Sequence, residues 1–429
     1  MAQTRSFLST PVVSGLAVRS GRKALKAVLA RLRVGALEWV ESGQRTLYGD
    51  PDSSRRATVE IHDPRCYAKM LSGGSVGAGE AYAEGWWSSP DPAAVVSLLI
   101  ANQAAANRLD AGGSWIRGLL ETMLRPLRDN TRRGSKRNIA DHYDLGNDFF
   151  EQFLDPTMTY SAGLFPTPDS SMEEASVEKL DLICRKLALS ADDHVVEIGT
   201  GWGSFALHAA TNYGCRVTTT TISSRQHEVA ERRFAQAGLT DRVTLLKKDY
   251  RDLVAHCGAG TFSHLVSIEM IEAVGHRHLN RYFQSCSDLL RADGVMAIQA
   301  ILIDDRHQAA HRRRPDFIMR HIFPGACLPS NETISRAVAA SSDLTLRHFQ
   351  DITPHYATTL RRWRERLQRN GETIRELGYP DRLLRLWEFY LAYCEAGFSE
   401  RYIGDAQYLF AKPGARLDLG LTGGGWERA

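Results

Sequence analysis

The residues best suited to chemistry stand where a predicted strand gives way to a turn. The run Glu197-Ile198-Gly199-Thr200-Gly201-Trp202-Gly203 follows an apolar strand pattern and opens a helical one. Glycines in such a turn let the backbone approach a bound nucleotide closely, so the run predicts a nucleotide-type ligand beside Glu197, Gly199 and Gly201. Dinucleotide-dependent dehydrogenases use the same kind of turn, and that alternative has to be weighed.

Two later strand ends help to distinguish these ligands. Thr221, with Gln226 shortly after it, follows the second strand, where a nicotinamide enzyme usually places Asp or Glu for the ribose hydroxyls. Asp249 and Tyr250 end the third strand, at a position that faces the adenine ring in methyltransferase-like sheets. Together these residues favour S-adenosylmethionine over NAD.

Alternating strand and helix patterns must position these residues. The predicted strands are His194–Ile198, Arg216–Thr221, Val243–Leu246, His264–Ile268, Val295–Ile301, Leu344–Phe349 and Ala406–Ala411. A helix is predicted from Ser171 to Leu189. This alternation predicts an α/β fold with an open, seven-stranded, mostly parallel methyltransferase (Rossmann-like) sheet, helices on both faces, and an antiparallel last strand.

Several separated stretches occur in an order typical of one family. They are Arg137–Ile139 with His142–Phe150, Met158–Ser161, Glu197–Gly203, Thr221–Ser223 with Gln226, Asp249–Asp252, Glu269–Gly275, Ile322–Gly325 with Leu328–Ser330, His355–Tyr356 with Thr359–Leu360, and Tyr390–Phe398 with Gln407. Over residues 137 to 411 the chain therefore resembles the cyclopropane fatty acid synthase family. The resemblance implies methylene transfer from S-adenosylmethionine to a cis double bond of an unsaturated phospholipid acyl chain.

This reaction makes physical demands that the residue types can meet. An alkene is a poor nucleophile, so the sulfonium methyl must be held close and in line with it. The attack leaves a carbocation that water would trap, so the cavity must be dry and lined by aromatic faces that favour positive charge. Candidates for this lining are Tyr143, Phe150, Tyr160, Trp363, Trp387, Phe389 and Tyr390.

The resemblance also implies roles for individual residues. Ring closure removes a proton from the added methyl group, and the family is similar in using a bound bicarbonate ion as the base. The residues implied around this ion are Glu272, Gln299, Ile301, Tyr356 and the backbone amide of Ala162. The residues implied around the cofactor are Tyr160, Ser161, Glu197, Gly199, Gly201, Thr221, Gln226, Asp249 and Tyr250. No metal site is predicted.

Two positions depart from the family pattern. Ala162 stands where the family commonly has Cys, and Gln299 stands where it commonly has His. Gln can still donate a hydrogen bond, but it does not titrate near neutral pH as His does. If the proton leaves a neighbouring carbon instead of the added methyl group, the product is a methylene- or methyl-branched chain rather than a cyclopropane. Both outcomes remain open.

The pattern predicts three regions along the chain. These are a smaller N-terminal α+β domain that engages lipid (1–124), a basic linker (125–140) and the catalytic domain (141–429). Apolar residues between Arg22 and Val40 recur at helical spacing beside basic ones, which predicts an amphipathic helix on an anionic lipid surface or an ordinary packed helix. Between Thr58 and Trp87 the pattern predicts short strands and turns.

Composition and charge limit the surroundings of the protein. A net charge of +3 is too mild for a nucleic-acid binder, and the seven cysteines form no C-x-x-C pair, which indicates free thiols in a reducing compartment. We find no signal-peptide pattern and no apolar run of the roughly 20 residues that cross a bilayer. We therefore expect a cytoplasmic enzyme on the inner face of the membrane, with Arg312–Arg314 and Arg361–Arg364 as further lipid-facing candidates. The family resemblance implies a homodimer.

Two other functions compete with this interpretation. One keeps the methyltransferase fold and replaces the lipid by a soluble small molecule. The other, prompted by the missing Cys and His, is a non-catalytic lipid-binding homologue.

Overall fold

The computed structural model describes residues 15–109, 145–313 and 316–416 and divides the chain into two units. The first unit lies within Met1–Gly112 and Pro380–Phe389, and the second within Gly113–Tyr379 and Tyr390–Ala429. The predicted basic linker, 125–140, lies outside the described residues and stays a prediction.

The first unit contains a four-stranded sheet in the order β2-β1-β3-β4. Its elements are α1 (Gly15–Leu29), β1 (Ala36–Glu41), β2 (Gln44–Gly49), β3 (Arg56–Ile61), α2 (Arg65–Ala83), β4 (Trp87–Ser88) and α3 (Pro92–Leu109). β1 pairs antiparallel with β2 and parallel with β3. Ser42 and Gly43, between β1 and β2, both have positive φ, as a tight two-residue hairpin requires.

The predicted helix from Arg22 to Val40 is wrong in its second half. The helix ends at Leu29, and Ala36–Val40 belongs to β1. The reason is tertiary: the Asn102 side chain accepts hydrogen bonds from the amides of Arg33 and Val34 at 2.8 and 3.1 Å and holds this segment out of a helix. The apolar residues then pair into the sheet, which a periodicity count along the chain does not detect.

The prediction of strands and turns up to Trp87 is also partly wrong. Most of the glycine-rich stretch lies in α2, which runs to Ala83. Gly74 has φ of 53° and ψ of −130° and kinks the helix. Beyond the kink, a Cβ at Gly77 would lie only 2.0 Å from the carbonyl oxygen of Lys69, so this glycine allows close packing inside the helix.

The second unit contains a seven-stranded sheet in the order β10-β11-β9-β8-β5-β6-β7. Its strands are β5 (His194–Ile198), β6 (Arg216–Thr220), β7 (Val243–Leu246), β8 (Phe262–Ile268), β9 (Leu290–Ile303), β10 (Thr345–Asp351) and β11 (Ile403–Ala411). β11 is antiparallel to both neighbours and β5 to β9 are parallel, which confirms the predicted fold class. The strand order reverses beside β5, where such sheets bind ligands.

Helices cover both faces of this sheet. They are α4 (Asn147–Glu151), α5 (Met172–Lys186), α6 (Ser204–Asn212), α7 (Ser224–Gln236), α8 (Leu253–Cys257), α9 (Leu279–Leu289), α10 (Asp305–Arg313), α11 (Phe317–His321), α12 (Asn331–Ser341), α13 (Thr353–Arg369), α14 (Gly371–Glu376) and α15 (Asp381–Ser399), the last beginning in the first unit. One apolar core includes Phe283 and Ile334 from α9 and α12, and the other includes Ile183 and Phe205 from α5 and α6. None of the helices in the described ranges is long and apolar enough to cross a bilayer.

Candidate active site

The turn between β5 and α6, Gly199–Gly203, is called the glycine turn below. Gly199, Gly201 and Gly203 have φ of 101°, 55° and 91°, which residues with a Cβ rarely adopt. A Cβ added at Gly203 would lie 2.9 Å from the Phe234 ring. A Cβ added at Gly201 would meet no atom of the described residues within 4 Å. Gly203 therefore lets α6 pack closely on α7, and Gly201 leaves open space at the carboxyl end of β5.

Glu197 organises this turn through two threonines. Thr219 donates its hydroxyl hydrogen to Glu197 Oε2 at 2.5 Å and accepts one from Thr200 at 2.5 Å. Burial raises the pKa of Glu197 to about 8, although the charge of Lys179 and the bond from Thr219 oppose this rise. The side chain thus ties β5, β6 and the glycine turn together.

Thr221 and Gln226 lie side by side at the end of β6. The Thr221 hydroxyl donates to Gln226 Oε1 at 3.0 Å and accepts from the amide of Ser223 at 3.1 Å. Ser223 in turn caps α7 by accepting from the Gln226 amide. Both predicted ribose-side residues are buried and fixed next to the glycine turn, since β6 pairs with β5.

Asp249 and Tyr250 follow β7 and play different parts. The Asp249 carboxylate accepts hydrogen bonds from the Arg251 guanidinium at 2.7 and 2.5 Å and from its amide at 3.0 Å, so it fixes the turn. The Tyr250 ring packs edge-on against Tyr282 with centroids 5.4 Å apart. Burial raises the pKa of Tyr250 to about 12, which keeps its hydroxyl protonated. A cofactor contact by either residue stays a prediction.

Tyr160 and Ser161 lie in the loop before α5. The Tyr160 hydroxyl is 2.9 Å from that of Tyr390, and Ser161 Oγ accepts from Lys179 Nζ at 2.8 Å. Lys179 is only 1% exposed, and burial lowers its pKa to about 8. The negative charges of Glu269 and Asp405 oppose this lowering, which places the lysine among the carboxyl groups described below.

Reasoning from the sequence missed Lys179, although a signal was present. The buried residues Ala175, Ser176, Leu180 and Ile183 of α5 define the face that turns inward. Lys179 falls on the same face, where a charged side chain needs a partner. A lysine in an apolar register is therefore a useful marker of a buried polar site.

Aromatic side chains gather around Tyr160, and we call this group the aromatic cluster. Its members are Phe150, Phe153, Tyr160, Phe323, Tyr356, Trp363, Tyr390 and Phe398. The Tyr160 ring lies 5.5 Å from Phe150 and 5.3 Å from Trp363, and Tyr356 stacks on Phe398 at 4.4 Å. Four of the residues predicted to line the cavity thus lie in one cluster.

The other three predicted lining residues do not join this cluster. Tyr143 lies outside the described residues, and Trp387 and Phe389 belong to the first unit. Phe389 packs there against Tyr82 and Trp87, with ring centroids 5.5 and 6.0 Å apart. The helical pattern of α15 did not reveal that its two ends serve different units.

Glu269 accepts hydrogen bonds from three of the residues predicted to bind bicarbonate. Its Oε1 accepts from the Ala162 amide at 2.9 Å and from Gln299 Nε2 at 2.7 Å. Its Oε2 accepts from the Tyr356 hydroxyl at 2.6 Å. Burial raises the pKa of Glu269, while the bonds from Tyr356 and Ala162 oppose the rise.

Glu272 lies beside Glu269 but has fewer partners. Its Oε1 accepts from the Ile301 amide at 2.5 Å, whereas its buried Oε2 has no hydrogen-bond partner among the described residues. Burial and the charge of Glu269 raise the pKa of Glu272 to about 8. The Tyr356 hydroxyl donates its hydrogen bond to Glu269 rather than to Glu272.

Asp405 on β11 completes a group of three carboxyls, Glu269, Glu272 and Asp405, which we call the carboxylate centre. Asp405 Oδ2 accepts a hydrogen bond from Gln299 Nε2 at 3.0 Å. The buried Asp405 Oδ1 has no hydrogen-bond partner among the described residues. Burial and the charges of the two glutamates raise its pKa well above the usual range. In the described parts of the chain, no group of His, Cys, Asp and Glu side chains is arranged to hold a metal ion.

The structure therefore brings the five predicted catalytic residues together around a carboxylate that the prediction left out. Glu269 and Asp405 were both missed. A signal for Glu269 was available, because it stands three residues before Glu272 in the same motif. Asp405 gave no such signal, since only strand pairing between β11 and β9 brings it opposite Ile301.

Comparison with known proteins agrees with this geometry. The sequence model of the mycolic acid cyclopropane synthetase family matches residues 130–408. The tuberculostearic acid methyltransferase of Mycobacterium tuberculosis is 36% identical over 380 residues, which cover 87% of this chain and 86% of that protein. The cyclopropane-fatty-acyl-phospholipid synthase of Escherichia coli K12 is 31% identical over 377 residues, covering 84% and 89%. A structure of the mycolic acid cyclopropane synthase CmaA1 with SAH and CTAB aligns at a TM-score of 0.59 and 30% identity, over 65% of this chain and 98% of that one.

Proposed function

Since the chain belongs to the mycolic acid cyclopropane synthetase family, we propose that it alkylates a cis double bond in an unsaturated phospholipid acyl chain. The family and its solved structures establish an S-adenosylmethionine-dependent C-methyltransferase that acts on lipid acyl chains. The double bond and the phospholipid carrier are the proposal. The observation that carries it is the combination, in one unit, of an open glycine turn, an aromatic cluster and a buried carboxylate centre.

The carboxyl ends of the parallel strands fit the cofactor. A Cβ at Gly201 would fill the open space there, so this glycine leaves room for the ligand. Gly199, Thr221, Gln226 and Tyr250 would hold the nucleoside part, and Tyr160 and Ser161 would face the methionine part. When bound, S-adenosylmethionine supplies an electrophilic methyl group on a sulfonium sulfur. The protein contributes position, which matters because an alkene is a weak nucleophile.

The aromatic cluster suits a positively charged acyl chain. Phe150 and Trp363 are buried, and the rings of both pack against Tyr160. Such surroundings exclude water, and aromatic faces attract a cation by about 0.5 to 2 kcal/mol each. We therefore assign the cluster the role of protecting the carbocation until a proton is removed.

Loss of the proton decides the product. Loss from the added methyl group closes a cyclopropane ring, which is the leading proposal. Loss from a neighbouring chain carbon gives a methyl-branched chain with a double bond, and a methylene branch forms when a hydride shifts to the cation before the added methyl group loses its proton. This second outcome is supported by the 36% identity to a protein named tuberculostearic acid methyltransferase and by Gln299 in place of His.

The bicarbonate expected from the resemblance meets a difficulty. The donors predicted for it on Ala162, Gln299 and Tyr356 all donate to Glu269. A further anion would have to displace a carboxylate from these donors. We therefore derive no step through bicarbonate.

We propose that the first unit brings the enzyme to the membrane, with α1 as its contact. Leu16 and Val28 of α1 are 76% and 61% exposed, and Arg19 and Lys23 are exposed beside them. Exposed apolar and basic residues on one helix suit an anionic lipid surface. Peripheral attachment at the inner face of the membrane, and a homodimer, remain part of this proposal.

The other predicted basic run is less suited to lipid. Arg364 is buried and pairs with Glu395 at 2.9 Å. Arg362 donates to the carbonyl of Pro168 and lies over the Phe165 ring at 4.6 Å. These arginines stabilise their own unit. The run at 312–314 is only partly within the described residues.

The test uses vesicles of cis-monounsaturated phospholipid and S-adenosylmethionine with a trideuterated methyl group. We expect deuterium in the fatty esters: loss of one deuterium and a ring by fragmentation indicate a cyclopropane, and retention of all three indicates proton loss from the chain. An unlabelled acyl pool would contradict the proposed function. Co-sedimentation of wild type and a Leu16→Ser/Val28→Ser variant tests the membrane contact, since a small-molecule methyltransferase would ignore vesicles.

A further inference from the structure

Glu269 has a more complete set of donors than either of its neighbours. Three groups donate to its carboxylate, at 2.9, 2.7 and 2.6 Å. In the described part of the chain, the carboxyl groups of Glu272 and Asp405 accept one hydrogen bond each, and each keeps a buried oxygen without a partner. Hydrogen bonds to a carboxylate stabilise its charged form. Glu269 is therefore the member of the carboxylate centre that is best stabilised as an anion.

The pattern of donors fixes the free position on this anion. Oε1 accepts from two N–H groups, which cannot accept a proton in return, so Oε1 is unprotonated. The 2.6 Å bond from Tyr356 to Oε2 has the length of a charge-assisted O–H···O⁻ bond. A carboxylate has about four lone-pair sites, so three donors leave about one, on Oε2.

The backbone of Glu269 adopts an unusual conformation. Its φ is 47°, in the left-handed region that non-glycine residues avoid, and its amide donates to the carbonyl of Gln299 at 2.9 Å. Such a conformation costs on the order of 1–3 kcal/mol and persists where the surroundings hold it in place. In this conformation the side chain accepts hydrogen bonds from the Ala162 amide and the Tyr356 hydroxyl.

We propose that Glu269 is the general base of the reaction and takes the place of a bound bicarbonate ion in this chain. Its planar carboxylate accepts hydrogen bonds from the donors on Ala162, Gln299 and Tyr356, which the resemblance assigns to the bicarbonate ion. The inference rests on the proposed acyl-chain alkylation and adds the identity of the base. The side chain is tethered, so it requires no free bicarbonate at the membrane surface.

The step balances without another reactant. The π electrons of the alkene form a bond to the methyl carbon, the carbon–sulfur bond breaks onto sulfur, and the cation forms on the chain. Glu269 Oε2 then takes a proton either from the added methyl group or from a chain carbon next to the cation. The electron pair of that C–H bond closes the ring or forms a double bond, and the proton on Glu269 passes to water after the product leaves.

Variants of Glu269 test this role. Glu269→Gln fills the same space but cannot take a proton, and we expect kcat to fall about 100-fold or more, the usual contribution of a general base. Glu269→Ala should lose as much activity. It should regain part of it with added bicarbonate or formate, because these anions can accept the hydrogen bonds that Glu269 no longer accepts. Glu269→Gln should show no such rescue. Glu272→Gln is the matched comparison and should lose less than Glu269→Gln.

Near wild-type kcat in Glu269→Gln, or a larger loss in Glu272→Gln, would overturn the proposal and assign the base to Glu272. Unchanged S-adenosylmethionine affinity by calorimetry shows that each variant is folded.

A binding measurement separates this inference from the proposed function. ¹³C-bicarbonate, observed by NMR, should bind to Glu269→Ala and not to the wild type, whatever the acyl substrate. Saturable binding to the wild type would contradict the role of Glu269 even if acyl chains are alkylated. Failure of the wild type to label any phospholipid, with bicarbonate bound only by Glu269→Ala, would instead refute the phospholipid substrate.

Discussion

The glycine turn and the carboxylate centre lie in the same unit but are built from different materials. The glycine turn uses backbone conformation and neutral side chains that are neighbours along β5 and β6. The carboxylate centre uses carboxyl groups that follow β8 or lie on β11, together with donors from β9 and α13. The comparison indicates that the backbone geometry of the glycine turn positions the cofactor, whereas the charged groups of the carboxylate centre control the transfer of the proton.

Gly201→Val tests whether the glycine turn positions the cofactor, and it has the largest expected effect. A branched side chain would enter the open space at the turn and strain a φ of 55°. We expect kcat/KM for S-adenosylmethionine to fall about 100-fold or more, as a misplacement of about 1 Å can do. Gly260→Val is the control, because Gly260 has φ of 62° and equally open surroundings away from the site. Equal losses in both variants would show only backbone strain.

Tyr356→Phe tests the role of the carboxylate centre. It removes the donor at 2.6 Å from Glu269, and hydrogen bonds to charged groups contribute about 1.5–3 kcal/mol, so we expect kcat to fall roughly 10- to 100-fold with cofactor affinity unchanged. Tyr213→Phe makes the same change at a 2.7 Å bond to Asp181, away from the centre, and should leave kcat as it is. A loss of cofactor affinity in Tyr356→Phe would mean that the two regions are not separate.

Asp405→Asn should have a smaller effect. Burial and the charges of Glu269 and Glu272 raise the pKa of Asp405 well above its usual range, which favours the neutral form of this group. An amide can still accept from Gln299, and steady-state kinetics should show only a few-fold change in kcat. A loss as large as that of Glu269→Gln would show that Asp405 works as an anion.

Glu197→Gln should change stability more than catalysis. Because burial raises the pKa of Glu197 to about 8, the folded protein keeps a proton that the unfolded chain releases near pH 4.5. The stability contributed by this proton is fully present below pH 4.5 and is lost as the pH rises through about 8. The variant stays neutral, so its Tm minus that of the wild type should increase across this range. A pH-independent difference would contradict the assignment.

The two regions also differ in how far the sequence predicts them. Gly199, Gly201, Thr221 and Gln226 lie within two strand–turn–helix units, so local pattern was sufficient to group them. The partners of Glu269 are 107, 30 and 87 residues away, and no local pattern joins them. The resemblance named five of the surrounding residues but assigned the anion to a bound bicarbonate ion and not to Glu269.

The same distinction applies to the fold. The five parallel strands of the second unit were predicted because buried parallel strands are short apolar runs between helical patterns. In the first unit, Asn102 redirects the chain after α1 and Gly74 kinks α2. Both are contacts or conformations that a periodicity count along the chain does not detect.

The most direct test of the account is turnover of the wild type on cis-unsaturated phospholipid vesicles in buffer freed of carbon dioxide. With a trideuterated methyl donor, we expect label in the acyl chains at a rate that does not change when bicarbonate is added. Label that appears only after bicarbonate is restored would contradict the assignment of the base to Glu269.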